Sequence, residues 1–270
     1  MKMRVLAAIA LIPLLVAILF FAPNWVAAVA IGILCSIAAF ELLCGTGLVK
    51  HTRLFCYAAV MAFCVPLWCY FGSPVLYARV GILVFTCLIF MEILISKGKL
   101  PITKAALCYV AGLLIPYLLS TLVRMLVVDS GRFAVLMTFV LAFMADTGAY
   151  FIGCAFGKHK LAPTISPKKS VEGLFGGILF DVLSALLICL VMNLLFSAKV
   201  NYLYAVVYGI VGALAGTFGD LCFSVIKRQA GIKDYGNLIP GHGGVLDRFD
   251  SVIIVAPVTE LLMILLPILE

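Results

Sequence analysis

Charge is what this chain lacks most. Only 11% of its 270 residues are Asp, Glu, Lys or Arg, whereas 65% are hydrophobic. A soluble domain is charged at about a quarter of its positions, so a water-soluble globule of this length is excluded. No polar stretch is long enough to build a separate soluble domain. The two-residue alternation of membrane barrel strands is absent too. What remains is a series of long apolar runs, the mark of an integral membrane protein built of helices. The ten cysteines form no CxxC pair and no Cys/His metal spacing, so they read as small buried hydrophobes with free thiols. No GxxxxGK[ST], GxSxG or HExxH occurs, which removes P-loop enzymes, nucleophile-elbow hydrolases and zinc peptidases. No internal repeat is visible.

Nine apolar spans are present, at residues 5–22, 25–44, 54–71, 76–96, 104–124, 134–156, 173–197, 202–227 and 251–268. Each is near the ~20 residues that a bilayer helix needs. The first exceeds the ~7–15 apolar residues of a cleavable leader, so it reads as a retained helix. The fold class expected is therefore all-α and polytopic. Nine spans put the termini on opposite sides, and the basic residues choose between the two orientations. With the N-terminus cytoplasmic, Arg79, Arg124, Arg132 and Lys199 lie outside and all other lysines and arginines lie inside. The C-terminus is then outside. The polar loops 157–173 and 228–250 face the cytoplasm, at the plasma (inner) membrane of a multi-pass protein. Topology accounts for the formal charge of +7 better than nucleic acid does, so no nucleic-acid partner is expected.

The two halves differ in kind. Residues 1–130 carry charge mainly as lysines and arginines at loop ends and read as scaffold helices. Residues 131–270 gather Asp146, Glu172, Asp181, Asp220, Asp234, Asp247 and Asp250 and read as the catalytic region. Asp220 shares its span with Gly209, Gly212, Gly216 and Gly219, small residues at spacings that let membrane helices approach closely. At 100° per residue Asp220 and Lys227 fall near this stripe, with Ser224 at its edge. A carboxylate pointing into a bundle costs about 2.5–3.5 kcal/mol at mid-bilayer, so function is its default reading. A solvated position near the surface is the competing one. Asp247 and Asp250, three apart, share a face if the ninth helix starts here, and plain N-capping is a fair competitor for Asp250 alone. With Asp220 they suggest an oxygen-only divalent site, suited to Mg²⁺ holding a phosphate substrate.

Cations surround these acids. Lys227, Arg228, Lys233 and Arg248 bracket Gly241, His242, Gly243 and Gly244, where glycine backbone could close around an anion. His242 suits a phosphate or base contact, or merely holds the loop. Ser166, Lys168, Lys169 and Ser170 offer two hydroxyls and two ammoniums in five residues, a phosphate grip or a lipid-headgroup patch. Asp146 is a further intramembrane candidate whose partner the sequence does not reveal. A transporter using Asp146 and Asp220 is the rival reading, against which stand the one-sided charges. A non-catalytic scaffold would need no such polar cluster.

The stretch SVIKRQAGIKDYGNLIPGHGGVLDRFDS (224–251) resembles the signature of the phosphatidate cytidylyltransferase (CDP-diacylglycerol synthase) family: S-x-x-K-R, then K-D, P-G-H-G-G and D-R-x-D. DTGAYFIG (146–153) and SPKKSVEG (166–173) resemble two more of its elements. The DGxxAR pattern of alcohol phosphatidyltransferases is missing. Many members carry glutamate before the signature serine, where this chain has Phe223. The resemblance implies transfer of CMP from CTP to phosphatidate, giving CDP-diacylglycerol and pyrophosphate, with Mg²⁺ and a monovalent cation such as K⁺ beside it. It also implies a homodimer among membrane lipids. Asp220, Lys227, Arg228, Asp247 and Arg248 would be catalytic. Asp220, Asp247 and Asp250 would hold metal, and Lys233, Asp234, Ser224 and the loop glycines would bind substrate.

Overall fold

The computed structural model describes residues 17–18, 21–49, 52–72, 75–238 and 243–269. Most of the expected span 5–22, and Gly241 and His242, lie outside the described residues. The chain forms two compact units. The first takes in Met1–Val127 and Gln229–Phe249, the second Val128–Arg228 and Asp250–Glu270.

In the first unit, helix α1 (Asn24–Phe40) runs directly into a π turn, Glu41–Gly45. Helices α2 (Thr52–Tyr70) and α3 (Val75–Ile95) follow. Helix α4, Ile102–Leu126, is a single span with a second π turn at Val110–Leu114. Small residues set the spacing. A side chain on Gly32 would meet the Phe63 carbonyl at 2.9 Å, and one on Gly112 would meet Ala58 backbone at 3.1 Å. The Ser36 hydroxyl donates across α1 and α2 to the Ala59 carbonyl at 2.9 Å. Leu42, Leu43, Leu54, Met61, Leu122 and Met125 form the buried core. Helix α3 buries Phe85 and Ile89 but exposes Leu83, Phe90, Leu94 and Ile95, an apolar face suited to lipid.

In the second unit, helices α5 (Gly131–Phe156) and α6 (Val171–Phe196) pack most closely. Added Cβ atoms on Gly148, Gly173 and Gly177 would fall 2.5–2.9 Å from backbone oxygens of the opposing helix. Such contacts require glycine, because lipid supplies no hydrophobic force between helices and close backbone packing must replace it. The segment joining the two helices is a short antiparallel hairpin, β1 (Lys160–Ala162) and β2 (Ser166–Ser170). Pro163 and Pro167 lack the N–H that a helix would need there. A purely helical chain was expected, and the hairpin is the departure.

Helix α7 (Tyr202–Gln229) starts on Asn201, whose side chain accepts from the N–H groups of Leu203 and Tyr204. Its glycines face several partners: Gly209 meets Val182 of α6, Gly212 meets Leu141 of α5, and Gly219 meets the Asp250 carbonyl. The short helix α8 (Leu246–Phe249) belongs to the first unit and α9 (Val252–Leu265) to the second.

Seven helices among the described residues are long and apolar enough to cross a membrane. Their bounds lie within a few residues of those expected. The expected last span, 251–268, is represented by α9, which has only 14 residues with Pro257 inside it. At 1.5 Å per residue it reaches about 21 Å, short of a ~30 Å hydrocarbon core.

Gly148→Leu should push α5 from α6 and cost about 1–3 kcal/mol, lowering the melting temperature in detergent by several degrees. Leu187→Ala, at a side chain 60% exposed, should change it by less than about 0.5 kcal/mol. Equal shifts would contradict the packing described.

Candidate active site

Four charged side chains of the second unit meet around the C-terminal half of α7. Asp220 pairs with Lys169 of β2, Nζ to Oδ2 at 2.5 Å. Lys227, two turns further on, lies 3.8 Å from Asp250 Oδ2. The carboxyls of Asp220 and Asp250 lie close enough to act on each other's charge. Ser224 donates to Asp220 Oδ1 at 3.3 Å. Lys227, Ser224 and Asp250 are all buried. Gly219 makes the cluster possible, since its bare Cα lets the Asp250 backbone lie against α7. Burial, with the Asp220 carboxylate beside it, pushes the Asp250 carboxyl up to about 8.

The hairpin delivers Lys169. Ser170 Oγ caps α6 by accepting the Gly173 N–H at 3.1 Å. Glu172 accepts the N–H groups of Lys158 and His159 and pairs with His159 Nδ1 at 2.6 Å. Arg228 Nε donates to the Ile165 carbonyl at 3.2 Å, tying α7 to the hairpin turn. Beneath the hairpin is a cavity of about 170 Å³ whose lining includes Asp146, Tyr150, Lys168, Lys169, Ser170 and Thr217. Asp146, whose partner the sequence did not reveal, lines this cavity together with Lys168 and Lys169 of SPKKS. Ser166 opens β2 opposite Ala162.

In the first unit the signature loop is held by carboxylates. Asp247 Oδ2 accepts the N–H groups of Tyr235 at 2.8 Å and Gly244 at 3.0 Å. Gly243 has φ +87°, and a Cβ there would meet Asp247 Oδ2 at 2.9 Å, so only glycine fits. Lys233, Asp234 and Arg248 are exposed. The Gly244 amide, expected to face an anion, is bonded to a protein carboxylate.

The sequence-predicted residues therefore fall into two groups. Asp220, Ser224, Lys227, Asp250 and Lys169 come together in the second unit, with Lys168, Ser170 and Asp146 around the cavity. Asp247, Arg248, Lys233, Asp234, Gly243 and Gly244 belong to the first. Phe223 is buried in the second unit. Among the described residues no three His, Cys, Asp or Glu side chains gather as metal ligands. The Asp220–Asp250 pair nevertheless fits a magnesium ion, which takes one or two carboxylates and completes its shell with water and substrate phosphate. Two carboxylates this close also need a proton or a cation between them.

Two residues escaped the sequence. Thr217 lines the cavity. Glu41, on the π turn after α1, is 3% exposed and accepts the N–H groups of Val245 and Leu246. Its only signal was a lone acid in the run AAFELLCG. Asp181 of α6 is fully buried, and neither of its oxygens has a hydrogen-bond partner among the described residues.

Comparison with known proteins places the chain. The model of the cytidylyltransferase family matches residues 2–266. The phosphatidate cytidylyltransferase of Staphylococcus epidermidis is 36% identical over 188 residues, 68% of each chain. The proteins of that name from Staphylococcus saprophyticus and Staphylococcus aureus are each 37% identical, over 174 and 172 residues, 63% of each chain.

Removing the α6 cap should show locally. Ser170→Ala should cost about 1 kcal/mol, a fall of roughly 2–4 °C in melting temperature for a protein of this size. Ser170→Thr, which keeps the hydroxyl, should lose less; an unchanged melting temperature in Ser170→Ala would contradict the cap.

Proposed function

This chain belongs to the cytidylyltransferase family, and we propose that it transfers CMP from CTP to phosphatidate, releasing pyrophosphate and leaving CDP-diacylglycerol in the membrane. The observation that carries the reading is the line of paired charges Lys169–Asp220–Asp250–Lys227. An apolar chain would not bury such a cluster without a charged ligand to handle.

The chemistry needs little else. A phosphate oxygen of phosphatidate attacks the α-phosphorus of CTP. The new P–O bond forms as the bond to the β-phosphate breaks, and the electron pair leaves with pyrophosphate. The second pKa of a phosphomonoester is near ~6, so the attacking oxygen is already ionised and no general base is required. The obstacle is bringing two anions together, which positioning and charge neutralisation overcome. Lys227 and Lys169 lie beside the carboxylates and would counter phosphate charge as those carboxylates engage a cation. Lys168 and Ser170 at the cavity would orient the anionic headgroup. Arg228 holds the hairpin turn through the Ile165 carbonyl. Mg²⁺ would be held by Asp220 and Asp250, with Asp247 as the third candidate, and would neutralise the triphosphate. A monovalent cation such as K⁺ belongs to the same reading. The roles of Asp247, Arg248, Lys233, Asp234, His242 and the loop glycines rest on the signature rather than on proximity.

The same reading puts the chain in the plasma membrane as a multi-pass protein with its N-terminus cytoplasmic. CTP would then reach the site from the cytoplasm and phosphatidate from the bilayer. The asymmetry of the basic residues supports this, and a homodimer among membrane lipids completes it. The family match favours the enzyme over the ion-coupled transporter.

Purified protein in detergent, given phosphatidate, labelled CTP and Mg²⁺, should yield a lipid-soluble cytidine product, and a chelator should abolish it. Asp220→Asn and Asp250→Asn should each lower kcat by about 10²-fold or more. Wild-type turnover in both variants would remove the carboxylates from the mechanism. CTP-independent ion flux without any such product would support the transporter instead.

A further inference from the structure

Glu41 lies outside every motif of the candidate site, yet it grips the most distinctive of them from more than 200 residues away. Its Oε1 accepts the Val245 N–H at 2.9 Å and its Oε2 the Leu246 N–H at 2.7 Å. The loop is moulded around this carboxylate. A Cβ on Gly244 would come within 2.5 Å of all three carboxyl atoms, and one on Gly236 within 2.8 Å of Oε1. The π turn that presents Glu41 is closed by Thr46 N–H to the Glu41 carbonyl, and the Thr46 hydroxyl donates to the Leu42 carbonyl at 2.6 Å. Asp247 binds the same loop from the other side, through Tyr235 and Gly244. Two carboxylates thus take up four backbone N–H groups, three of them consecutive, at residues 244–246, immediately before the Asp247–Arg248 pair.

We infer that Glu41 is a positioning residue of the reaction: its carboxylate anchors the backbone of Val245 and Leu246 and so fixes where Asp247 and Arg248 are presented. The inference rests on the signature reading of those two residues given above. A carboxylate is required because two convergent N–H donors need two acceptor oxygens. An amide would offer one acceptor and turn its own N–H groups toward the other donor. The bonds are charge-assisted and buried, so losing one leaves a donor unpaired where water does not replace it.

The test is Glu41→Gln in the full chain, with kinetics and amide hydrogen exchange measured on the same preparation. A lost charge-assisted bond corresponds to about tenfold to a hundredfold. The expected result is a fall of that size in kcat, with KM for phosphatidate within about twofold of wild type. Exchange at residues 244–246 should quicken by a similar factor while α5 and α6 are unaffected. Glu41→Asp, which keeps both oxygens, should recover part of the loss. Gly244→Ala, which crowds the carboxylate from the loop side, should reproduce the pattern if Glu41→Gln proves too unstable to purify. Wild-type kcat with unchanged exchange in Glu41→Gln would overturn the inference. So would activity lost only in proportion to folded protein, with exchange quickened throughout. Should wild-type protein form no lipid-linked cytidine, the proposed reaction fails, and the exchange measurement still decides whether Glu41 anchors the loop.

Discussion

A carboxylate enclosed in an apolar chain is stabilised by a cation or by N–H groups, and Asp220, Asp250, Glu41 and Asp247 mark the places where this protein meets that demand. In the second unit Asp220 and Asp250 are met by Lys169 and Lys227. In the first, Glu41 and Asp247 are met by backbone amides. The two solutions have different consequences. Lysine pairs can be exchanged for a metal ion and phosphate, because ammonium groups on flexible stems re-pair at little cost. Amide-bound carboxylates fix backbone and hold a loop in one shape. The first arrangement suits chemistry and the second suits positioning.

Glycine sets the geometry of both. Gly219 lets the Asp250 backbone reach α7, and the glycines of α5 and α6 bring together the helices that flank the hairpin carrying Lys169. In the first unit Gly236 and Gly244 make room for the Glu41 carboxylate. A methyl group at Gly236 or Gly244 would press on the Glu41 carboxylate, and one at Gly219 on the Asp250 backbone. Both effects follow from close packing, which leaves no slack for an added atom. The signature draws on both units. Residues 224–228 and 250–251 belong to one unit, and 229–249 to the other. Motif spacing therefore reflects a chain that leaves one compact unit, contributes to a second, and returns.

Hydropathy alone located the seven long helices to within a few residues, because transfer of a helix into lipid depends on local composition. The small-residue stripe of α7, with Asp220 and Lys227 beside it, was likewise legible, since helical periodicity fixes which residues share a face. The hairpin at 160–170 was not, because its short strands alternate too few residues to register against the flanking apolar runs. The shortness of α9 also went unread: hydropathy marks an apolar stretch but not where its helix ends, at Leu265, two residues before Pro267.

What the sequence by itself determined is the class of protein and the inventory of its chemistry: apolar helices, most of the carboxylates gathered in the second half, and a signature that names a family. Which carboxylate meets which partner was decided only by tertiary structure. Asp220 with Lys169, Asp250 with Lys227, and Glu41 with amides 245 and 246 are pairings across dozens to hundreds of residues. Local propensity carries no information about them. They are selected by the folded chain as a whole, because only there does burial make an unpaired charge costly enough to dictate its neighbour.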